Sequence, residues 1–150
     1  MQLAVEREPL YRRVPGRDML EVAEEGVVLA GDLRLRLPVG QRTDGASIPR
    51  GAWAVVAHPF AGPVLLPATV HDLLYERQGR VSLGTRLSRA RVDQLFHDML
   101  WVELVLPREV RAAMAPGGWR WLVADAAVLV AAARCWVMWA AVRLFGRRSW

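Results

Sequence analysis

A change in hydrophobic period along the chain limits its fold more than any other feature. "DLRLRLPVG", residues 32 to 40, alternates strictly, with Leu33, Leu35 and Leu37 on one side and Arg34 and Arg36 on the other. A period of two is that of a half-buried strand, and Pro38 stops it. Further on, "SRARVDQLFHDMLWVELVL", residues 88 to 106, repeats at three and four through Val92, Leu95, Phe96 and Met99. Ser88 stands where an N-cap belongs, so a buried helical stripe is expected there. Strands first and helices afterwards predict an α+β fold, a small N-terminal antiparallel sheet followed by a mainly helical C-terminal part.

The remaining punctuation divides one domain, residues 1–150, into four stretches. Residues 1–42 are strand-rich; "EVAEEGVVLAG" adds a short apolar run ended by Gly31. Residues 43–67 form a motif loop. Asp44-Gly45 is a turn pair, Pro49 forbids a helix, and "HPFAGPVLLP", 58–67, carries four turn-formers. Residues 68–118 hold a helical pair and a short helix. The first member starts after Pro67 with Thr69 near its first turn, Pro107 ends or restarts the second, and Pro116-Gly117-Gly118 closes the third. Residues 119–146 form a long apolar helix that Gly146 stops.

Composition narrows the partners. All 20 basic residues are arginine, the net charge is +5 and the pI about 10.8. That suits an anionic partner, whether nucleic acid, phospholipid or a cell-wall polymer, but a solvated basic surface is the better reading. The arginines are scattered without an aromatic-basic stacking module, which argues against nucleic acid. The lone Cys135 excludes a disulfide framework and a thiolate metal cluster, and its apolar setting predicts an inert core thiol. "MQLAVEREPLYRRVPG" has no apolar run of signal-peptide type, so synthesis in a cytoplasm is expected. No P-loop, zinc spacing, serine elbow or dinucleotide fingerprint is present.

The chemistry-bearing residues cluster in "HDLLYERQ" and "SRARVDQLFHD". Residues one turn apart share a helix face, which puts His71 with Tyr75, and Asp72 at the edge. Antiparallel packing of the two helices would bring Asp93 to His71. A carboxylate on one ring nitrogen sets the tautomer and leaves the other nitrogen free as a base. The same four groups could equally be a structural clamp in which each buried polar atom satisfies another. "TDGASIPRGAW" supplies Asp44, Ser47 and Arg50 as possible walls of a shared site, with Trp53 as a core residue or platform. His58 before a proline and His97 on the second helix read as ordinary structural residues.

"TDGASIPR", "HDLLY", "SRARVDQLF" and "AAVRLFG", in that order over residues 43–150, resemble a phage and prophage family, domain-of-unknown-function family 1353. The resemblance implies a small α+β domain of phage or prophage origin and no particular activity. Locally, His-Asp-x-x-Tyr with an aspartate on the next helix is similar to the core of secretory phospholipases. That resemblance implies His71 as the base toward water, with Tyr75 and Asp93 orienting it. It implies Asp72 as a calcium ligand; this chain lacks that family's glycine-rich loop and its disulfides, and "TDGAS" could supply Asp44, Ser47 and backbone oxygens instead.

The last helix raises a separate question. Residues 126 to 142 are apolar except for Arg134, near the lower limit of a membrane span. Arg134 lies about half a turn of the wheel from both Asp125 and Arg143, so no clean amphipathic stripe is evident and contact on several sides is expected. Membrane contact through 119–145 is one reading of this segment, and packing on protein is the other. Three roles remain open: a metal-assisted hydrolase of an ester or envelope substrate, a virion or assembly component contacting other phage structural proteins, and a membrane-associated prophage accessory factor.

Overall fold

A computed structural model describes residues 3–44, 62–82, 85–108 and 119–145. The α+β expectation holds. Among the described residues, eight short strands form three antiparallel sheets: β1 (Leu3–Arg7), β4 (Gly26–Ala30) and β5 (Leu33–Leu37); β2 (Leu10–Arg13), β3 (Leu20–Glu24) and β6 (Arg42–Thr43); and the ribbon β7 (Arg80–Ser82) with β8 (Thr85–Arg86). Two three-stranded sheets thus replace the single small sheet expected from the N-terminal pattern. In β5 the alternation is realised, with Leu35 and Leu37 buried and Arg34 and Arg36 exposed. Ala30 pairs with Leu33, leaving a two-residue loop in which Gly31 takes φ 60°. Gly26 permits a close approach, since a Cβ there would lie 2.7 Å from Cβ of Pro9.

The first helix, α1, runs from Gly62 to Glu76 and so begins before Pro67. The loop expected over 58–67 is corrected for residues 62–67. Pro63 fits a first turn, and burial of Val64 and Ala68 outweighs the cost of Pro67 inside the helix. Thr69 is not a terminal residue either; it is fully buried and its hydroxyl donates to the Leu65 carbonyl at 2.8 Å.

Helix α2 (Arg89–Leu100) is capped as expected: the Ser88 hydroxyl accepts the Arg91 N–H at 3.3 Å. Val92, Leu95, Phe96 and Met99 are all buried. The chain continues into a π-helical turn, Trp101–Val105, and α3 covers Trp119–Phe145. The short helix expected after Pro107 lies largely outside the described residues.

Two hydrophobic cores meet at α1 and α2. One, with Leu37, Leu73, Leu95 and Met99, joins these helices to the sheets. The other, with Ala68, Phe96, Leu100, Cys135 and Met138, joins them to α3. Cys135 is buried as expected, and desolvation pushes its thiol up to about 12. Among the described residues α3 is packed on one face only, against α2 and the π turn. The expected contact on several sides is therefore corrected: Leu129, Val130, Trp136, Val137 and Leu144 remain exposed on the other face.

Candidate active site

The site forms where α1 and α2 face each other. Tyr75 meets Arg89, while His71, one turn earlier, meets Asp93, one turn later. Contacts that run in opposite order make the helices antiparallel. His71 Nε2 lies 3.4 Å from Asp93 Oδ1, and the Tyr75 hydroxyl donates to the same oxygen at 2.5 Å. The imidazole is held on its faces as well, with Tyr75 at 4.1 Å and Phe96 at 5.0 Å between ring centroids. These contacts leave the ring little freedom to turn.

Asp93 is 1% exposed, and a buried carboxylate needs compensation. Besides Tyr75 and His71 it has Arg89 Nε at 3.8 Å and Arg143 Nη1 at 3.9 Å from Oδ2. Burial pulls its pKa upward, but the hydrogen bonds from His71 and Tyr75 win and hold it below the usual carboxylate range. Tyr75 moves the other way, to about 12, because burial first and the Asp93 carboxylate next disfavour a phenolate. Arg89 Nε also donates to the Tyr75 oxygen at 3.1 Å, and its Nη2 donates to the Arg143 carbonyl at 2.7 Å. One guanidinium thus ties the network to the end of α3.

The second ring nitrogen faces another carboxylate. His71 Nδ1 is 3.8 Å from Asp72 Oδ1, too far for a direct hydrogen bond. Burial would depress the imidazole pKa, yet Asp72 and then Asp93 outweigh it and raise it above the ordinary 6.5. The Thr43 hydroxyl donates to Asp72 Oδ2 at 2.6 Å, which brings the end of β6 to the site. Asp44 follows at the rim. Crowding by the protein and then the negative charge of Asp72 raise its carboxyl.

His71, Tyr75 and Asp93 are therefore together, with Asp72 and Asp44 beside them. Ser47, Arg50, Trp53 and His58 lie outside the described residues. His97 is half-buried among Trp101, Trp136 and Trp139 and takes no part. Among the described residues no group of three or more His, Cys, Asp or Glu is arranged to hold a metal ion. Thr43 and Arg89 were not anticipated. Arg89 had a visible signal, since it precedes Asp93 by four residues, an ion-pair spacing on a helix. Thr43 had only its place at the head of "TDGAS".

A family model described as "Protein of unknown function (DUF1353)" matches residues 21–115. An uncharacterised protein of Sinorhizobium fredii, y4jT, is 38% identical over 53 residues. That match spans 35% of this chain and only 16% of the relative. No solved structure matches.

Proposed function

This chain belongs to the DUF1353 family, and from that premise we propose that it is a hydrolase of ester substrates with His71 as general base. A family description of this kind assigns no activity, so function has to be argued from the site. The observation that carries the reading is the two-sided setting of His71, with Nε2 toward buried Asp93 and Nδ1 toward the partly exposed Asp72. In the neutral ring the Nε2–H points to Asp93, and the Nδ1 lone pair is left for a water proton. The water oxygen attacks the ester carbonyl carbon while Nδ1 takes its proton. As the tetrahedral adduct collapses, the same proton passes to the departing alkoxide. Asp93 stabilises the imidazolium between these steps, and Tyr75 and Arg89 keep its carboxylate in position.

Asp72 and Asp44 would hold a hard divalent cation such as calcium, with water completing its oxygen shell. Burial first and the charge of Asp72 next raise the Asp44 carboxyl, and such an ion would relieve the second of these. When bound, the ion would polarise the substrate carbonyl.

Hydrolysis of p-nitrophenyl and phospholipid esters by purified protein tests the reading. His71→Asn should lose at least about a hundredfold in rate, the scale of general-base catalysis, while the melting temperature, taken at a pH above the folded pKa of His71, changes little. Millimolar calcium should raise the melting temperature of the native chain but not of Asp72→Asn. Equal rates for native chain and His71→Asn would remove the proposal.

A second reading is favoured by one observation, the link from Tyr75 and Asp93 through Arg89 to the carbonyls of α3. There the network is a clamp across three helices in a phage assembly component. It predicts a lowered melting temperature for His71→Asn and no hydrolysis.

A further inference from the structure

The exposed face of α3 is organised, and its organisation identifies what covers it. Ala126, Ala133 and Ala140 recur every seven residues, as do Val130, Val137 and Leu144 beside them. Leu129 and Trp136 continue the pattern, and Arg143 completes that third column. Leu129 is 69% exposed and Leu144 70% exposed, so the stripe faces away from the domain along the described length of the helix. A seven-residue apolar repeat of small and large side chains is the seam of a coiled coil. A lone apolar stripe of this length on a surface marks an interaction site.

Charge at its two ends selects the occupant. Asp125 and Arg143 are eighteen residues apart, five turns at 3.6 residues per turn, and so project from the same flank of the stripe. Asp125 is exposed, and the Arg143 side chain remains 43% exposed although it also leans toward Asp93 and the Trp139 ring. A two-fold axis crossing α3 near Ala133 lays a second helix antiparallel on the first. That operation keeps each residue on its own flank and reverses the ends. Asp125 of each copy then lies beside Arg143 of the other, twice over. Parallel pairing would instead put the two copies of Asp125 on opposite flanks and leave neither of them beside an Arg143. Arg134, near the axis, projects from the opposite flank, about 100° from the middle of the stripe.

From this self-complementarity we infer that α3 is a homodimer interface, paired antiparallel with a second copy of this chain. Small Ala133 sits at the axis, where the two backbones approach most closely. The face used is opposite the one that packs on α2, and Arg143 is the one residue the inference shares with the Asp93 network.

Sedimentation velocity of the full chain over a concentration series tests it. The expected result is a reversible dimer whose dissociation constant rises by at least about tenfold for Ala133→Glu, which sets two carboxylates at the axis. Asp125→Arg should weaken it less, and more at low than at high salt. Ala133→Cys is the check that does not depend on tolerating a charge: mild oxidation should give a disulfide-linked dimer, with native Cys135 buried and silent. A native chain that stays monomeric at all concentrations overturns the inference. If such a monomer co-sediments with phosphatidylglycerol vesicles, the face belongs to lipid instead. A dimer that is unchanged by Ala133→Glu and not cross-linked by Ala133→Cys also overturns it.

Discussion

His71 is stabilised by charges that favour its protonated form, and this couples stability and the proposed catalysis in opposite directions. Its pKa in the folded protein is raised above the ordinary 6.5. The folded state therefore binds the proton more tightly than the unfolded chain does. That contribution to stability is fully present below about 6.5 and is lost as pH rises through the raised folded value. In the proposed hydrolase a general base needs the deprotonated ring, so the rate should climb over the same interval. Melting temperature and rate, measured against pH on one preparation, should thus cross in opposite senses, and His71→Asn should flatten both. Asp93 is depressed, so its contribution is present above the ordinary 3.8 and is lost as pH falls through its lower folded value. Tyr75→Phe removes the hydroxyl nearest the buried Asp93 carboxylate. Urea denaturation should show a loss of about 1–3 kcal/mol, the cost of an under-satisfied buried acceptor.

Single elements depend on close-range devices that differ in kind. Ser88 caps α2 through a side-chain acceptor, and Ser88→Ala should cost about 1 kcal/mol, or a few degrees of melting temperature for a chain of this size. Gly26 in β4 has no such bond to lose. It is required because the Pro9 ring occupies the space a side chain would enter. Gly26→Ala should therefore destabilise through overpacking, by about 1–3 kcal/mol, more than loss of the cap. Thermal melts of the two variants side by side check the order; an equal or smaller effect at Gly26 would mean that β1 and β4 shift apart without strain.

Across the whole molecule, Arg89 joins parts of the chain separated by 54 residues, linking the Asp93 network to the Arg143 carbonyl near the C-terminal end of α3. The last carbonyls of a helix lack intrahelical partners, so a guanidinium there satisfies them and meets the negative end of the dipole. Arg89→Met keeps much of the aliphatic stem and removes the donors. Amide exchange should then accelerate in the last turn of α3 and around Asp93, while the strands keep their protection. Uniform acceleration would place Arg89 in global stability alone. The same helix qualifies by length and hydropathy as a membrane span over Asp125–Leu144, yet one face is committed to the core through Ala131, Cys135 and Met138.

Periodicity carried the secondary structure because side-chain direction follows from the local backbone. The alternation of 33–37 could serve only a half-buried strand, and the stripe from Val92 to Met99 only a buried helix face. The one-turn spacing of His71 and Tyr75 was equally local, and antiparallel pairing was enough to bring Asp93 to them. Three features lay beyond such reasoning. The start of α1 at Gly62 ran against its own prolines, because burial of Val64 and Ala68 acts over tertiary distance and outweighs a local preference. Arg89's second role required knowing where the end of α3 returns. Lastly, a helix that is apolar on nearly every side carries no phase that tells the inner face from the outer. In α3 that choice was made by packing against Phe96 and Leu100, which left the alanine and valine columns facing outward.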